Sequence, residues 1–337
     1  MTPVPHSRPW ITGYDRAAVD AVLRTGTLAS GEHTAAFEAA AAGPGASGVS
    51  TTSGTAALRL ALTALGVGPG DEVVLPTYVC FDVAAAVLSV GARPVPADVG
   101  EHWLMGPDEV RPRLTARTRA IIAVHIFGLC APVAGLAALG LPVVVDACQA
   151  FTAGRGSPEA TAGATAWVTS FHATKCLTTG AGGLVASPDP AFVDAARAAR
   201  ARGVADPLSD LAAALGSAQL ALYPEFLARR GGLAEVYAAE GPEPLTTRWR
   251  AAPKTACIFR FPLSAPGLAE RTPVTADHRG VCLRRGVDAL VHRTLGLPDA
   301  DFPRAVRHLA DTVSLPLYPS LEKDEVDRVL AVAATLA

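Results

Sequence analysis

Residues 143–151 read VVVDACQAF. Three consecutive valines are not the alternation of a strand with one wet face. A continuous β-branched run belongs to a strand buried on both sides, as in a parallel sheet. Asp146 closes the run, so it stands at the carboxyl end of that strand. A carboxylate there needs a partner, because burying it alone is costly. Either it caps the next turn or it meets a cationic group on a ligand. Gln149, three residues on, is within reach of the same ligand.

Similar runs lie on both sides. GASGVSTT (45–52), DEVVLPT (71–77), ARPVPADV (92–99) and RAIIAVHIFG (119–128) precede it, and ATAWVTSF (164–171) and GGLVAS (182–187) follow. Stretches of helical period separate them at 54–66, 79–91, 107–118 (despite Pro112) and 131–140. Two more helices are expected at 190–203 and 208–230. Strands alternating with helices predict a doubly wound α/β domain with a mostly parallel sheet. The character changes after residue 231. Residues 238–254, AAEGPEPLTTRWRAAPK, are polar and Pro-rich and read as a loop. Short strands such as ACIFRFPL (256–263) and a closing helix, LEKDEVDRVLAVAATL (321–336), predict a smaller α+β domain. The expected division is 1–230 and 231–337, with the first twelve residues packing on the smaller domain.

Composition excludes several classes. Of 337 residues, half are hydrophobic, 18% are charged, and the formal net charge is -2. That is enough apolar material for a large core, with no basic surface for nucleic acid. The opening MTPVPHSRPWITGYD has no apolar h-region, and no run has the length of a membrane span, so a cytoplasmic protein is expected. Six cysteines, at 80, 130, 148, 176, 257 and 282, form no Cys-x-x-Cys pair and read as reduced, mostly buried thiols.

Ligands of open α/β sheets gather beyond the carboxyl ends of the strands. Two further stretches belong there. In TTSGTAALRL (51–60) a strand ends, Ser53, Gly54 and Thr55 turn, and a helix begins. Free N–H groups and small hydroxyls at a helix start suit an anion, although an ordinary N-cap reads the same way. In SFHATKCLTTGAGG (170–183), Lys175 follows Ser170 by five residues, ahead of a glycine turn. A lysine there is either a solvated loop residue or, in a partly dry cleft, a nucleophilic amine. Taken together, an anion cup, a strand-end Asp and a Ser-x4-Lys describe a pyridoxal phosphate (PLP) site. Phosphate goes to the helix start, the pyridinium nitrogen to Asp146, and the aldehyde to a Schiff base with Lys175. His125 reads as a core histidine or a site-lining one, and His172 as a surface or cofactor-facing one. Cys148 and Cys176 read as small apolar fillers.

These stretches, with SGTAALRLALTALGVGPGDEVVLPTYVC, GARPVPADV and SDLAAALGSAQL, resemble the DegT/StrS aminotransferases. These are fold-type I PLP enzymes with a seven-stranded sheet, many of which act on keto-sugars. The resemblance runs from about Gly31 to Gln219 and returns near SLPLYPSL. It implies that Lys175 is the Schiff-base lysine, Asp146 the pyridinium partner and Gln149 a residue over the cofactor's hydroxyl face. Ser53, Gly54, Thr55 and Ser170 would hold the phosphate. It also implies a homodimer with sites near the subunit interface. Departures stand out. Cys80 occupies the position of the usual stacking aromatic, with Tyr78 and Phe81 out of register. Ala181 replaces a Glu of the glycine loop. Ala205 and Pro207 replace an Asn and an Arg that commonly reach a partner's phosphate. The segment between about 231 and 310 is short, although His292 remains.

The expected function is amino transfer from glutamate or glutamine, through PLP and its amine form PMP, to a ketone or aldehyde of a small metabolite. That acceptor would be a keto-sugar, a cyclitol or another intermediate of a specialised pathway. The alternatives are a PLP enzyme of another reaction type, a dehydratase or condensing enzyme, and a non-catalytic PLP-binding regulatory subunit. Lys175 counts against sugar dehydratases, which resemble this family but carry His at that position.

Overall fold

The computed structural model describes residues 2–151, 158–243, 245–246, 259–272 and 278–337. Seven strands form the main sheet: β1 (Ser47–Thr51), β2 (Glu72–Pro76), β3 (Arg93–Ala97), β4 (Thr118–Val124), β5 (Val143–Asp146), β6 (Ala166–Ser170) and β7 (Gly183–Ser187). Their order is β1-β7-β6-β5-β4-β2-β3. From β6 to β3 every pair is parallel, and β7 runs antiparallel to both its neighbours. Residues of β2, β5 and β7 are buried along their whole length, as valine runs between two helical layers require.

Helices α1 (Gly13–Thr25), α2 (Glu32–Ala42), α3 (Gly54–Ala64) and α4 (Asp82–Ser89) precede or punctuate the first strands. Two of these, α1 and α2, were not among the expected elements. The signal for α1 was present: Thr12 caps it, Asp15 closes the capping box, and Gly26 ends it at a φ of 75°. The expected helix at 107–118 is a correction. Only Pro107–Val110 is α-helical, Arg111–Arg113 is one 3-10 turn, and β4 begins at Thr118. Pro112 has no N–H to continue the ladder.

The long helix Asp210–Glu240 runs through position 231, past Pro224 and the pair Gly231-Gly232. Its far half is anchored from outside. Arg230 donates to the carbonyls of Phe259 (3.1 Å) and Leu317 (2.7 Å), and the Tyr237 hydroxyl donates to Pro316 O (3.0 Å). The expected loop at 238–254 therefore starts later, and most of it lies outside the described residues. So does the start of ACIFRFPL. A second sheet, ordered β8-β10-β9, comprises β8 (Phe261–Ser264), β9 (Arg284–Arg285) and β10 (Thr312–Leu315). The opening residues pack beside it. Val4 exchanges backbone hydrogen bonds with Gly280 and Cys282, His6 bonds Ser314 at 2.9 Å, and Arg8 makes a two-pronged pair with Glu325. Further along, Trp10 packs on Phe226 of the long helix with ring centroids 5.5 Å apart.

Candidate active site

The carboxyl ends of β4, β5 and β6 share one edge of the main sheet, because these strands are parallel with Val124 opposite Asp146 and Asp146 opposite Val168. Antiparallel β7 starts at that edge, and Gly183 pairs with both Thr51 of β1 and Ser170 of β6. A glycine is required there. A Cβ on Gly183 would run into the backbone oxygen of Ser53. That closeness brings the Ser53–Gly54 turn against Ser170. A Cβ on Gly54 would in turn stand 2.9 Å from Ser170 Cβ and 3.1 Å from Cys148 Sγ. Gly54, Cys148 and Ser170 thus meet although they come from three different strand ends.

At the turn, Ser53 caps α3 by accepting from Ala56 N at 3.1 Å. The first N–H groups, on Gly54 and Thr55, have no acceptor in the helix itself. Ser170 Oγ accepts from His172 N at 3.3 Å, which leaves its O–H to donate elsewhere. Asp146 is buried, and its Oδ1 accepts from Cys148 N at 2.9 Å. Among the described residues no arginine or lysine forms an ion pair with it. Gln149 Oε1 accepts from Phe127 N at 2.7 Å, so what it can offer a ligand is its amide N–H pair. Phe127 needs that support, because it holds a φ of 58° that side chains rarely adopt.

Lys175 lies in the β6–β7 loop, which is clamped across its neck. Phe171 N donates to Gly182 O, Ala173 N to Gly180 O, and Lys175 N to His172 O. Its Nζ stands 5.0 Å from the ring centroid of Phe259. Phe259 N donates to Phe127 O at 3.0 Å, so a single chain of contacts runs from Gln149 through Phe127 to the ring beside the amine. Cys80 is exposed and lies within electrostatic reach of Asp146 and Lys175. Desolvation by the surrounding protein, then the charge of Asp146, push its thiol up to about 11, with Lys175 pulling the other way. Cys148 is pushed well above the usual thiol range by burial first and Asp146 second. Both thiols are therefore neutral near pH 7, and neither is a rival nucleophile to Lys175.

Other expected candidates lie outside the cluster. His125 is fully buried; its Nδ1 accepts from Ala131 N at 3.0 Å and its Nε2 meets Ala160 O at 3.1 Å. Burial holds it down to about 4 despite that bond, which makes it a neutral core histidine. His172 is exposed and bonded to Thr174. His292 is buried between Thr77 and Asp299 and stacked on Phe302 at 4.1 Å. Tyr78 is buried, Phe81 is exposed at the start of α4, and Ala205 is buried within its own chain. Phe259 and Arg260 were not among the candidates. Their only signal was an arginine inside the apolar run IFRF.

The family model for the DegT/DnrJ/EryC1/StrS aminotransferases matches residues 10–266. The chain belongs to that family. Its members are PLP-dependent aminotransferases, and the fold and the cluster at the sheet edge agree with that assignment. This aminotransferase is 33% identical to the erythromycin biosynthesis sensory transduction protein EryC1 of Saccharopolyspora erythraea, over 92% of each chain. It is similar in structure to DesV of S. venezuelae, with a TM-score of 0.84, 29% identity, and coverage of 95% of this chain and 93% of DesV. It is equally similar to the aminotransferase TlmJ of Streptoalloteichus hindustanus, with a TM-score of 0.85, 29% identity, and coverage of 99% and 98%. Among the described residues no helix is long and apolar enough to cross a membrane, and no group of His, Cys, Asp and Glu is arranged to hold a metal ion.

Proposed function

We propose that this aminotransferase moves nitrogen from glutamate or glutamine to a ketone or aldehyde of a small metabolite, using PLP held at the carboxyl edge of the main sheet. The observation that carries the reading is the meeting of a helix start, a buried carboxylate and an amine at that edge. The residues suit the cofactor. Gly54 N–H, Thr55 and the Ser53 and Ser170 hydroxyls would hold its phosphate. Asp146, which has no cationic partner among the described residues, would hold the ring nitrogen. Gln149 would offer N–H donors to the ring's hydroxyl side, and Cys80 would lie against the ring as an apolar wall. When bound, PLP supplies an electron sink for the carbanion formed beside the transferred nitrogen.

The chain's own part is proton handling and placement. Lys175 would hold the carbonyl end of the cofactor at rest. Once a donor amine displaced it, its freed Nζ would be placed to take the proton from the donor's α-carbon and return it to the carbon on the far side of the transferred nitrogen. Asp146 keeps the ring nitrogen protonated throughout, and its burial strengthens that charge-assisted bond. The same reading places the cofactor on residues 1–230. It makes 231–337 a smaller unit that brings Phe259 to the cleft, in a homodimer with sites near the interface. With Ala205 in place of an amide donor, the phosphate relies on the local turn.

The test is direct. Purified protein should carry PLP that borohydride fixes to Lys175, and glutamate or glutamine should convert the cofactor to its amine form. Fixation on another lysine sinks the assignment. Cofactor on Lys175 that no donor in a broad panel alters would instead support a non-catalytic PLP-binding role.

A further inference from the structure

Two cations share the ring of Phe259. Lys175 Nζ lies 5.0 Å from its centroid and Arg260 Cζ lies 5.2 Å from it, so the charges are at most about 10 Å apart. Arg260 is half-buried. Burial, and next the positive charge of Arg284, bring its guanidinium down to about 10. Among the described residues no carboxylate forms an ion pair with it, and Asp288 attracts it only from longer range. His6 adds no compensating charge. Burial first, then Arg260 and Arg284, hold its imidazole well below the usual range, and its Nε2 is taken by Ser314 Oγ.

The small sheet explains why these groups meet. Ser314 of β10 pairs with Pro262 of β8 on one side and with Arg284 of β9 on the other. Arg260, two residues before Pro262, therefore comes to the end of the sheet where Arg284 stands. Arg230 fixes the carbonyl of Phe259 and with it the backbone that carries Arg260. Arg260 lies within electrostatic reach of Cys80, which in turn neighbours Asp146 and Lys175.

A half-buried guanidinium without a carboxylate is costly, and its planar fork matches the oxygens of a carboxylate or phosphate. We propose that Arg260, backed by Arg284, receives an oxyanion group, carboxylate or phosphate, of the substrate that reacts at Lys175. This rests on the aminotransferase reading and deepens it. At least one of the two substrates is then an anion that spans from Lys175 to Arg260, whose charges are at most about 10 Å apart. A neutral sugar or cyclitol acceptor would leave Arg260 to the donor's carboxylate.

Glutarate and inorganic pyrophosphate, titrated calorimetrically into PLP-loaded protein, test the proposal. The wild type binds one of the two. Arg260→Gln weakens that binding roughly 10- to 100-fold, the loss expected for a charge-assisted hydrogen bond. Arg260→Lys, which keeps the charge without the fork, loses less, and so does Arg284→Gln, because Arg284 is exposed. Arg119→Gln, which removes a surface pair with Asp71, binds as the wild type does. A preference for glutarate assigns the site to a carboxylate, and a preference for pyrophosphate assigns it to a phosphorylated acceptor. A wild type that binds neither anion, or an Arg260→Gln variant with unchanged affinity, overturns the site. Borohydride fixation on each protein separates the two readings. Fixation retained with unchanged anion affinity removes the anion site alone, whereas no fixation in the wild type removes the aminotransferase reading.

Discussion

Asp146 accepts from the Cys148 N–H, and its charge raises the thiols of Cys80 and Cys148 nearby. Asp146→Asn keeps the size and the hydrogen bond from Cys148 but not the charge. Its product should still take up PLP, with turnover reduced on the order of 10²- to 10³-fold, in line with the loss of one preorganised electrostatic contact. Absorbance gives the occupancy and single-turnover kinetics give the rate, and near wild-type turnover would remove Asp146 from its role. Its buried place at a strand end was legible from the sequence, because an acid directly after three valines closes a buried strand. Arg260 was not, because an arginine between two phenylalanines also fits a strand with one wet face. Only the ring of Phe259, with Lys175 and Arg260 both beside it, ties Arg260 to the amine.

At the scale of elements, β7 is the piece on which the site depends without touching the chemistry. Gly183→Ala would drive a methyl into the Ser53 carbonyl, which is backbone and cannot turn aside. The variant should lose about 1–3 kcal/mol of stability, and its affinity for free PLP should fall more than that of a variant destabilised elsewhere. Denaturant midpoints and PLP titrations measure the two effects, and an unchanged PLP affinity would show that the turn does not depend on β7. The strands were readable because valine and isoleucine runs are unambiguous when glycine and proline bound them. The helices were less so. Proline at 112 ended one that helical spacing suggested, and Gly231-Gly232 did not end another, because Arg230 and Tyr237 fasten it to residues 316–317 far along the chain. Local propensity carries no trace of that contact.

For the whole molecule, acid sensitivity should centre on Glu72, at the opposite end of β2 from the site. It is buried, and burial alone would raise it. Hydrogen bonds from Arg93, Thr115 (2.7 Å) and Arg117 (2.7 Å) outweigh that and hold it at about 2. A depressed carboxylate contributes its full stability above its unfolded value, near 4.5, and loses it as pH falls toward the folded value, near 2. Glu72→Gln should therefore melt at lower temperature than the wild type at pH 7, with the gap closing between pH 4.5 and 2. A gap that stays constant over that window would assign the effect to packing and not to charge.

The backbone pairing of Val4 with residues 280–282 and the tie from Arg8 to Glu325 also bear on how the chain is made. Residues 4–8 leave the ribosome long before their partners do. At roughly 5–20 residues per second, they wait on the order of tens of seconds for residue 280 to emerge. Trp10 finds Phe226 earlier, since the long helix is synthesised first. The partners of the opening segment therefore emerge in two stages, that of Trp10 before that of Val4, and Val4 has no native partner to pair with in the interval.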